Sequence, residues 1–139
     1  MTDEYPVLEI QNIKKYFPRN AGLADTLLRR ERSQVQAVDD VTLTLNRGES
    51  QGVIGESGCG KTTLLMTLMG LYRPTNGEIY YKGEPTSTFG QKQWKKYRSD
   101  VQIILQDPFN SLDPKMTVEE SLAEPLKIHG MDNRESRIR

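Results

Sequence analysis

Gly55-Glu56-Ser57-Gly58-Cys59-Gly60-Lys61-Thr62-Thr63 satisfies the phosphate-binding pattern G-x-x-x-x-G-K-[ST] through Gly55, Gly60, Lys61 and Thr62. A triphosphate needs several backbone amides converging on it, and glycine lets the backbone approach with no Cβ in the way. Gly55, Gly58 and Gly60 supply that freedom, while Glu56, Ser57 and Cys59 complete the loop with their amides. Lys61 brings a cation to the β- and γ-phosphates, the Thr62 hydroxyl can ligate Mg2+, and Thr63 offers a second hydroxyl toward the α-phosphate. The setting agrees: Ser50-Gln51-Gly52-Val53-Ile54 reads as a short strand, and Thr62 to Met69 as an apolar helix ending at Gly70. Ser50 and Gln51 are polar where a buried parallel strand prefers a longer apolar run. The pattern predicts binding of a nucleoside triphosphate.

Composition narrows the rest. The chain has 139 residues, enough for one modest core and one domain or part of one. Its 19 Lys plus Arg balance 19 Asp plus Glu, so no overall basic footprint argues for nucleic acid. Met1 to Pro6 lacks the basic and apolar blocks of a signal peptide, and the apolar runs are too short to span a bilayer, which predicts a cytosolic or peripheral protein. The single cysteine, Cys59, excludes an intramolecular disulfide and reads as a small loop residue whose amide matters more than its sulfur.

Outward from the loop, Val7 to Ile13 alternates loosely as a strand, and Val38, Val41, Leu43 and Leu45 fall at near-strand spacing before an Asn46-Arg47-Gly48 turn. Between these strands, Pro18 to Gln36 is a polar insertion, and its Arg29-Arg30-Glu31-Arg32 cluster reads as a solvated face. After the loop helix, Pro74 to Gly77 signals a turn and Glu78 to Lys82 a strand closed by Gly83, so that a hairpin lies beside the loop. Gln91 to Arg98 is helical and basic, with Trp94 and Tyr97 on one side as a packing face. Val101 to Leu105 is the most apolar strand pattern in the chain, stopped by Pro108 beyond Gln106. Thr117 with Glu120 at capping-box distance opens a last helix through Val118, Leu122 and Leu126. His129 has no partner cysteine, second histidine or nearby serine and reads as a surface or packing residue.

The order of these features resembles the ATP-binding subunit of an ABC transporter over nearly the whole chain. Ala37 to Leu43 is similar to the strand before the phosphate loop, Gly55 to Thr63 to the Walker A segment, and Gln102 to Pro108 to the Q-loop. Within the superfamily, the loop together with Gln106-Asp-Pro-Phe-Asn-Ser-Leu-Asp-Pro114, Ala123-Glu-Pro-Leu126 and the insertion after Phe17 resembles the branch serving oligopeptide, dipeptide and nickel importers. The resemblance implies an α/β fold with a P-loop NTPase core and an antiparallel β-subdomain. Residues 1–139 would then be the N-terminal part of a nucleotide-binding domain, with the insertion at 18–36, Walker A at 55–63 and the Q-loop region at 106–119.

The resemblance also implies the chemistry. ATP and Mg2+ are the expected cofactors, with Thr62 and Gln106 as metal ligands and Lys61 and Gln106 as the catalytic residues. The aromatic that stacks on adenine is Phe17 or its neighbour Tyr16, although packing and stacking want the same residue type. Residues 107–119 would face the membrane permease. Expected partners are a second ATP-binding subunit, identical or paralogous, two transmembrane permease subunits and, indirectly, a solute-binding protein, with no nucleic acid. The implied location is peripheral, on the cytoplasmic face of the inner (plasma) membrane.

Through Arg139 the sequence contains no Leu-Ser-Gly-Gly-Gln-like segment, no Walker B aspartate with its adjacent glutamate and no switch histidine. Phosphoryl transfer depends on such positioned charges, so the chain alone is expected to bind ATP and to hydrolyse it poorly. Unpaired strand edges predict weak solubility. Two other readings stay open: a soluble ABC-type ATPase unrelated to transport, and a non-catalytic nucleotide-binding fragment.

Overall fold

Leu8–Pro18 (β1) pairs antiparallel on one side with Gln34–Leu45 (β2) and on the other with Asn76–Tyr81 (β3), which pairs in turn with the short Glu84–Pro85 (β4). The sheet order is β2-β1-β3-β4. The computed structural model describes residues 5–19, 34–104 and 113–130. The sheet belongs to the first of two units, Met1–Gly90, and the second is Gln91–Arg139.

The loose alternation of the sequence has a local cause. Leu8 and Ile10 are followed by Ile13 rather than residue 12, and Val38 by Val41 rather than residue 40. At each three-residue step the strand bulges through a residue with positive φ, Asn12 at 50° and Asp40 at 56°. The pairs Ile10↔Leu43, Ile13↔Val41 and Lys15↔Val38 record one extra residue first in β1 and then in β2. The bulges restore parity, so that Leu8, Ile10, Ile13, Val38, Ile79 and Tyr81 are all buried. Asn and Asp tolerate the left-handed region best among residues with a Cβ. Here they also bond each other, Asn12 Nδ2 donating to Asp40 Oδ1 at 3.1 Å, while the Asn12 N–H donates to Thr42 Oγ1 at 3.0 Å. Gly77, with φ of 85°, lies where a Cβ would overlap the Asn12 carbonyl oxygen, so the bulge in β1 demands glycine across the ladder.

Both β1 and β2 run longer than the sequence suggested. β1 continues to Pro18 and β2 begins at Gln34, through the pairs Tyr16↔Gln36, Phe17↔Val35 and Pro18↔Gln34. The ends of the polar insertion are therefore strand, and its interior, with the Arg29–Arg32 cluster, lies outside the described residues. The expected hairpin is present, but its reversal is at Lys82-Gly83, with φ of 50° and 81°, rather than at Pro74–Gly77. Two residues with positive φ suit the twist of a two-residue hairpin.

Lys61–Leu68 (α1) follows the loop and ends as predicted at Gly70, whose φ is 68°. The Gly70 N–H donates to Thr67 O and the Leu71 N–H to Met66 O, both at 3.0 Å, the paired bonds of a Schellman cap. In the second unit, Gln91–Asp100 (α2) sets Trp94 against Tyr97 with centroids 5.5 Å apart. Val118–His129 (α3) opens with the full Thr117–Glu120 capping box and closes at Gly130.

Two expected strands are not formed. Ser50–Ile54 and Val101–Ile104 enter no ladder, and Ile54 and Ile104 are 98% and 96% exposed. A parallel strand lives from neighbours on both sides, and among the described residues neither segment has one. Leu105 lies outside the described residues.

Candidate functional site

The loop is fixed by a third irregularity of the sheet. Lys15 pairs with Val38 and Tyr16 with Gln36, which leaves Ala37 unpaired as a bulge in β2. Gly60 abuts that bulge, since a Cβ on it would overlap the Ala37 carbonyl oxygen, and its φ of 98° independently excludes a side chain. Gly58, with φ of 83°, faces open space. The loop glycines thus serve two purposes, Gly60 for close packing on the sheet and Gly58 for the turn itself.

Lys61 arches back over the loop. Its Nζ donates to Gly55 O at 2.6 Å and Glu56 O at 2.7 Å, and lies 3.5 Å from Cys59 Sγ. The Cys59 amide, expected to point toward a ligand, donates instead to Glu56 O at 3.3 Å. At the start of α1 the N-cap is Gly60, which offers no side-chain bond to the first-turn amides. Those amides form the positive end of a helix with a lysine beside them, an arrangement suited to an anion. Thr62 is exposed at this end, while Thr63 O accepts from the buried Thr67 hydroxyl at 2.7 Å.

A divalent cation fits this donor set in one way. Among the described residues no cluster of His, Cys, Asp and Glu could hold a metal. A free hydroxyl such as that of Thr62 matches Mg2+, which takes one or two protein oxygens and completes its shell with phosphates and water. Gln106, the other expected ligand, lies outside the described residues with 107–112. The remainder of the 106–119 region is a turn in which Lys115 N donates to Asp113 Oδ1 at 2.9 Å, followed by the cap of α3. His129 is half-buried near the end of α3.

Phe17 and Tyr16 part company on β1. The Tyr16 hydroxyl donates to Asp39 Oδ1 at 2.5 Å, and Lys14 Nζ lies 3.2 Å from the same oxygen. The Tyr16 hydroxyl and then Lys14 hold the Asp39 carboxyl below its ordinary value, and the bond to Asp39 raises both Tyr16 and Lys14. Phe17, half-buried, meets Tyr72 edge-to-face at 5.4 Å, with Lys15 Nζ 4.9 Å from its centroid. Strand rise and spacing put Phe17 on the order of 10 Å from Gly60 along and across β2.

Sequence reasoning missed Ala37, Asp39, Lys15 and Tyr72. The i, i+2 spacing of Lys15 and Phe17 could have flagged a shared strand face. The bulge at Ala37 leaves no mark in the residue types.

Fold and loop together define an α/β phosphate-loop protein. The chain belongs to the ABC transporter family, whose model matches residues 38–139, and this family implies nucleotide binding. It is 41% identical over 126 residues to the oligopeptide transport ATP-binding protein AppF of Bacillus subtilis (strain 168), covering 90% of this chain and 37% of the relative. It is 38% identical over 131 residues to the glutathione import ATP-binding protein GsiA of Escherichia coli (strain K12), covering 94% of this chain and 20% of that one. Among solved structures, the dimeric post-hydrolysis state of the ATP-binding cassette MJ0796 bound to ADP and Pi matches with a TM-score of 0.71 and 28% identity, over 94% of this chain and 52% of the other. The chain thus spans 37% of the length of the first relative. No helix among the described residues is long and apolar enough to cross a membrane.

Proposed function

We propose that this chain binds Mg-ATP as the nucleotide-holding part of a subunit that energises import of peptides or a related solute. The observation that carries this is the loop Gly55–Thr63, docked through Gly60 on the Ala37 bulge, with Lys61 folded over its mouth and an uncapped helix behind it. In this reading Lys61 shares its three donors between the loop carbonyls and the β- and γ-phosphate oxygens. The loop amides other than that of Cys59, and the dipole of α1, hold the remaining phosphate charge. The Thr62 hydroxyl and the Gln106 amide oxygen would hold Mg2+, which would supply neutralisation of phosphate charge. Gln106 further positions the attacking water, since its amide can both donate and accept.

Phe17 rather than Tyr16 is assigned to the adenine. Both rings are half-buried, but Tyr16 is committed through its hydroxyl to Asp39, whereas Phe17 has no such polar tie. By likeness to the import relatives, the partners are a second ATP-binding subunit and two membrane permease subunits, met peripherally on the cytoplasmic face of the membrane. Closure of the ATP-bound dimer and its reopening after hydrolysis would drive transport as a population shift. Co-purification with two membrane subunits supports that part of the reading.

The binding claim is tested by calorimetric titration of Mg-ATP into the chain and its Lys61→Ala variant, with phosphate release followed in the same samples. Charge-assisted bonds of about 1.5–3 kcal/mol predict a loss of about 10- to 100-fold in affinity for Lys61→Ala. Equal affinity in the two proteins would overturn the assignment. Saturable binding that Lys61→Ala weakens supports the assignment, and phosphate release in the same samples reads how far residues 1–139 turn over the bound nucleotide.

A further inference from the structure

Beside the candidate adenine aromatic, two side chains from different parts of the first unit converge on one ring. Tyr72 meets Phe17 with centroids 5.4 Å apart and planes at 84°. Lys15 Nζ stands 4.9 Å from the Phe17 centroid and 5.7 Å from that of Tyr72. We infer that Lys15 and Tyr72 are base-positioning residues, which hold the Phe17 ring in the one orientation that receives the purine and so set the contribution of the base to nucleotide affinity. The inference rests on the assignment of Phe17 to the base.

Neither residue reaches this place by chance of rotamer alone. The Schellman cap at Gly70 turns the chain sharply after α1, and the Tyr72 N–H itself donates to Met66 O at 3.2 Å, which fixes where the phenol ring emerges. The next residues are lashed to β1: the Thr75 N–H donates to Lys14 O at 2.7 Å, and the Tyr16 N–H to Thr75 Oγ1 at 2.9 Å. Lys15 joins the two segments, since its Nζ donates to Arg73 O at 2.9 Å while standing against both rings. An ammonium with a carbonyl partner and two aromatic neighbours has few alternative positions, and an edge-to-face pair resists rotation of either ring.

A ring already ordered costs a ligand less to stack on, because its rotamer entropy is spent in the free protein. The benefit falls on the base alone. The phosphates are held through Gly60 and Lys61, anchored on Ala37 rather than on Tyr72, while Lys15 Nζ is bonded to the Arg73 carbonyl and stands against the two rings. The cluster therefore separates the two halves of the nucleotide, the loop reading phosphates and the Lys15–Phe17–Tyr72 group reading the base.

The test compares Mg-ATP with Mg-tripolyphosphate, which lacks base and sugar, by calorimetry on the chain and its variants. Tyr72→Leu and Lys15→Gln should each shrink the ratio of the two affinities about three- to five-fold, with tripolyphosphate binding changed by less than about two-fold. Tyr72→Phe keeps the ring and should restore the ratio. An unchanged ratio in Tyr72→Leu and Lys15→Gln, or a parallel loss of both ligands, would overturn the inference. Phe17→Ala separates the two failures. If it abolishes the base contribution while Tyr72→Leu and Lys15→Gln do not, the positioning role alone falls; if it leaves the contribution intact, the adenine assignment falls and the positioning role with it.

Discussion

Ile10 and Ile54 both stand in runs that read as strands, yet Ile10 is fully buried in the sheet and Ile54 is 98% exposed beside the phosphate loop. The difference lies in what each run needs from the rest of the chain. β1 finds both partners within this sequence, β2 and β3, and antiparallel pairing lets short connections such as Lys82-Gly83 close the ladder. The run before the loop reads from its sequence as a parallel strand, which requires flanking strands delivered by long crossovers, and among the described residues none flanks it. The loop nevertheless has a support of its own, because Gly60 rests on Ala37 of the antiparallel sheet and not on the run that precedes the loop.

The largest effect expected from this contrast concerns stability. Ile10→Ala removes side-chain volume from a fully buried site and should cost about 2–4 kcal/mol in urea denaturation, whereas Ile54→Ala should stay within about 0.5 kcal/mol. Comparable costs at the two positions would break the comparison, since they would mean that the run before the loop is packed in solution.

A smaller effect sharpens the account of the sheet. Asp39 is held below its ordinary value by Tyr16 and Lys14, so its contribution to stability is present above the usual carboxylate range and is lost as pH falls through the lowered value. Lys14 and Tyr16 are both raised by Asp39, so their contributions are present below their ordinary values and are lost as pH rises through the raised ones. The difference in urea midpoint between wild type and Asp39→Asn should therefore be greatest between about pH 5 and 9. It should shrink below about pH 4 and above about pH 10. A difference independent of pH would show that the three groups do not stabilise β1 against β2 by charge.

The same contrast explains what could be read in advance. The loop, the helix that follows it, its end at Gly70 and the Thr117–Glu120 cap were all legible, because each depends on residues within one or two turns of each other. The strands of the sheet were legible in type but not in extent. The three-residue steps from Ile10 to Ile13 and from Val38 to Val41 looked like weak alternation and are in fact bulges at Asn12 and Asp40, which keep alternation true to the core. The runs before the loop and at Val101–Ile104 were over-read, since apolar β-branched composition says that a segment can be a strand and nothing about whether a neighbour exists. Of the candidate site, Lys61 and the glycines follow from the motif. Ala37, Lys15 and Tyr72 follow from register and a helix cap that bring residues 15, 17 and 72 together, a juxtaposition that no local pattern carries.

The central claim is that the sheet-docked loop binds the triphosphate. The most direct measurement is an amide chemical-shift titration of the chain with Mg-ATP, read at Gly58 to Thr63 and at Phe17 and Tyr72. Saturable shifts are expected at the loop amides and at the aromatic pair, with those at the loop reproduced by Mg-tripolyphosphate. Saturable shifts confined to other residues, or none at the loop, would contradict it.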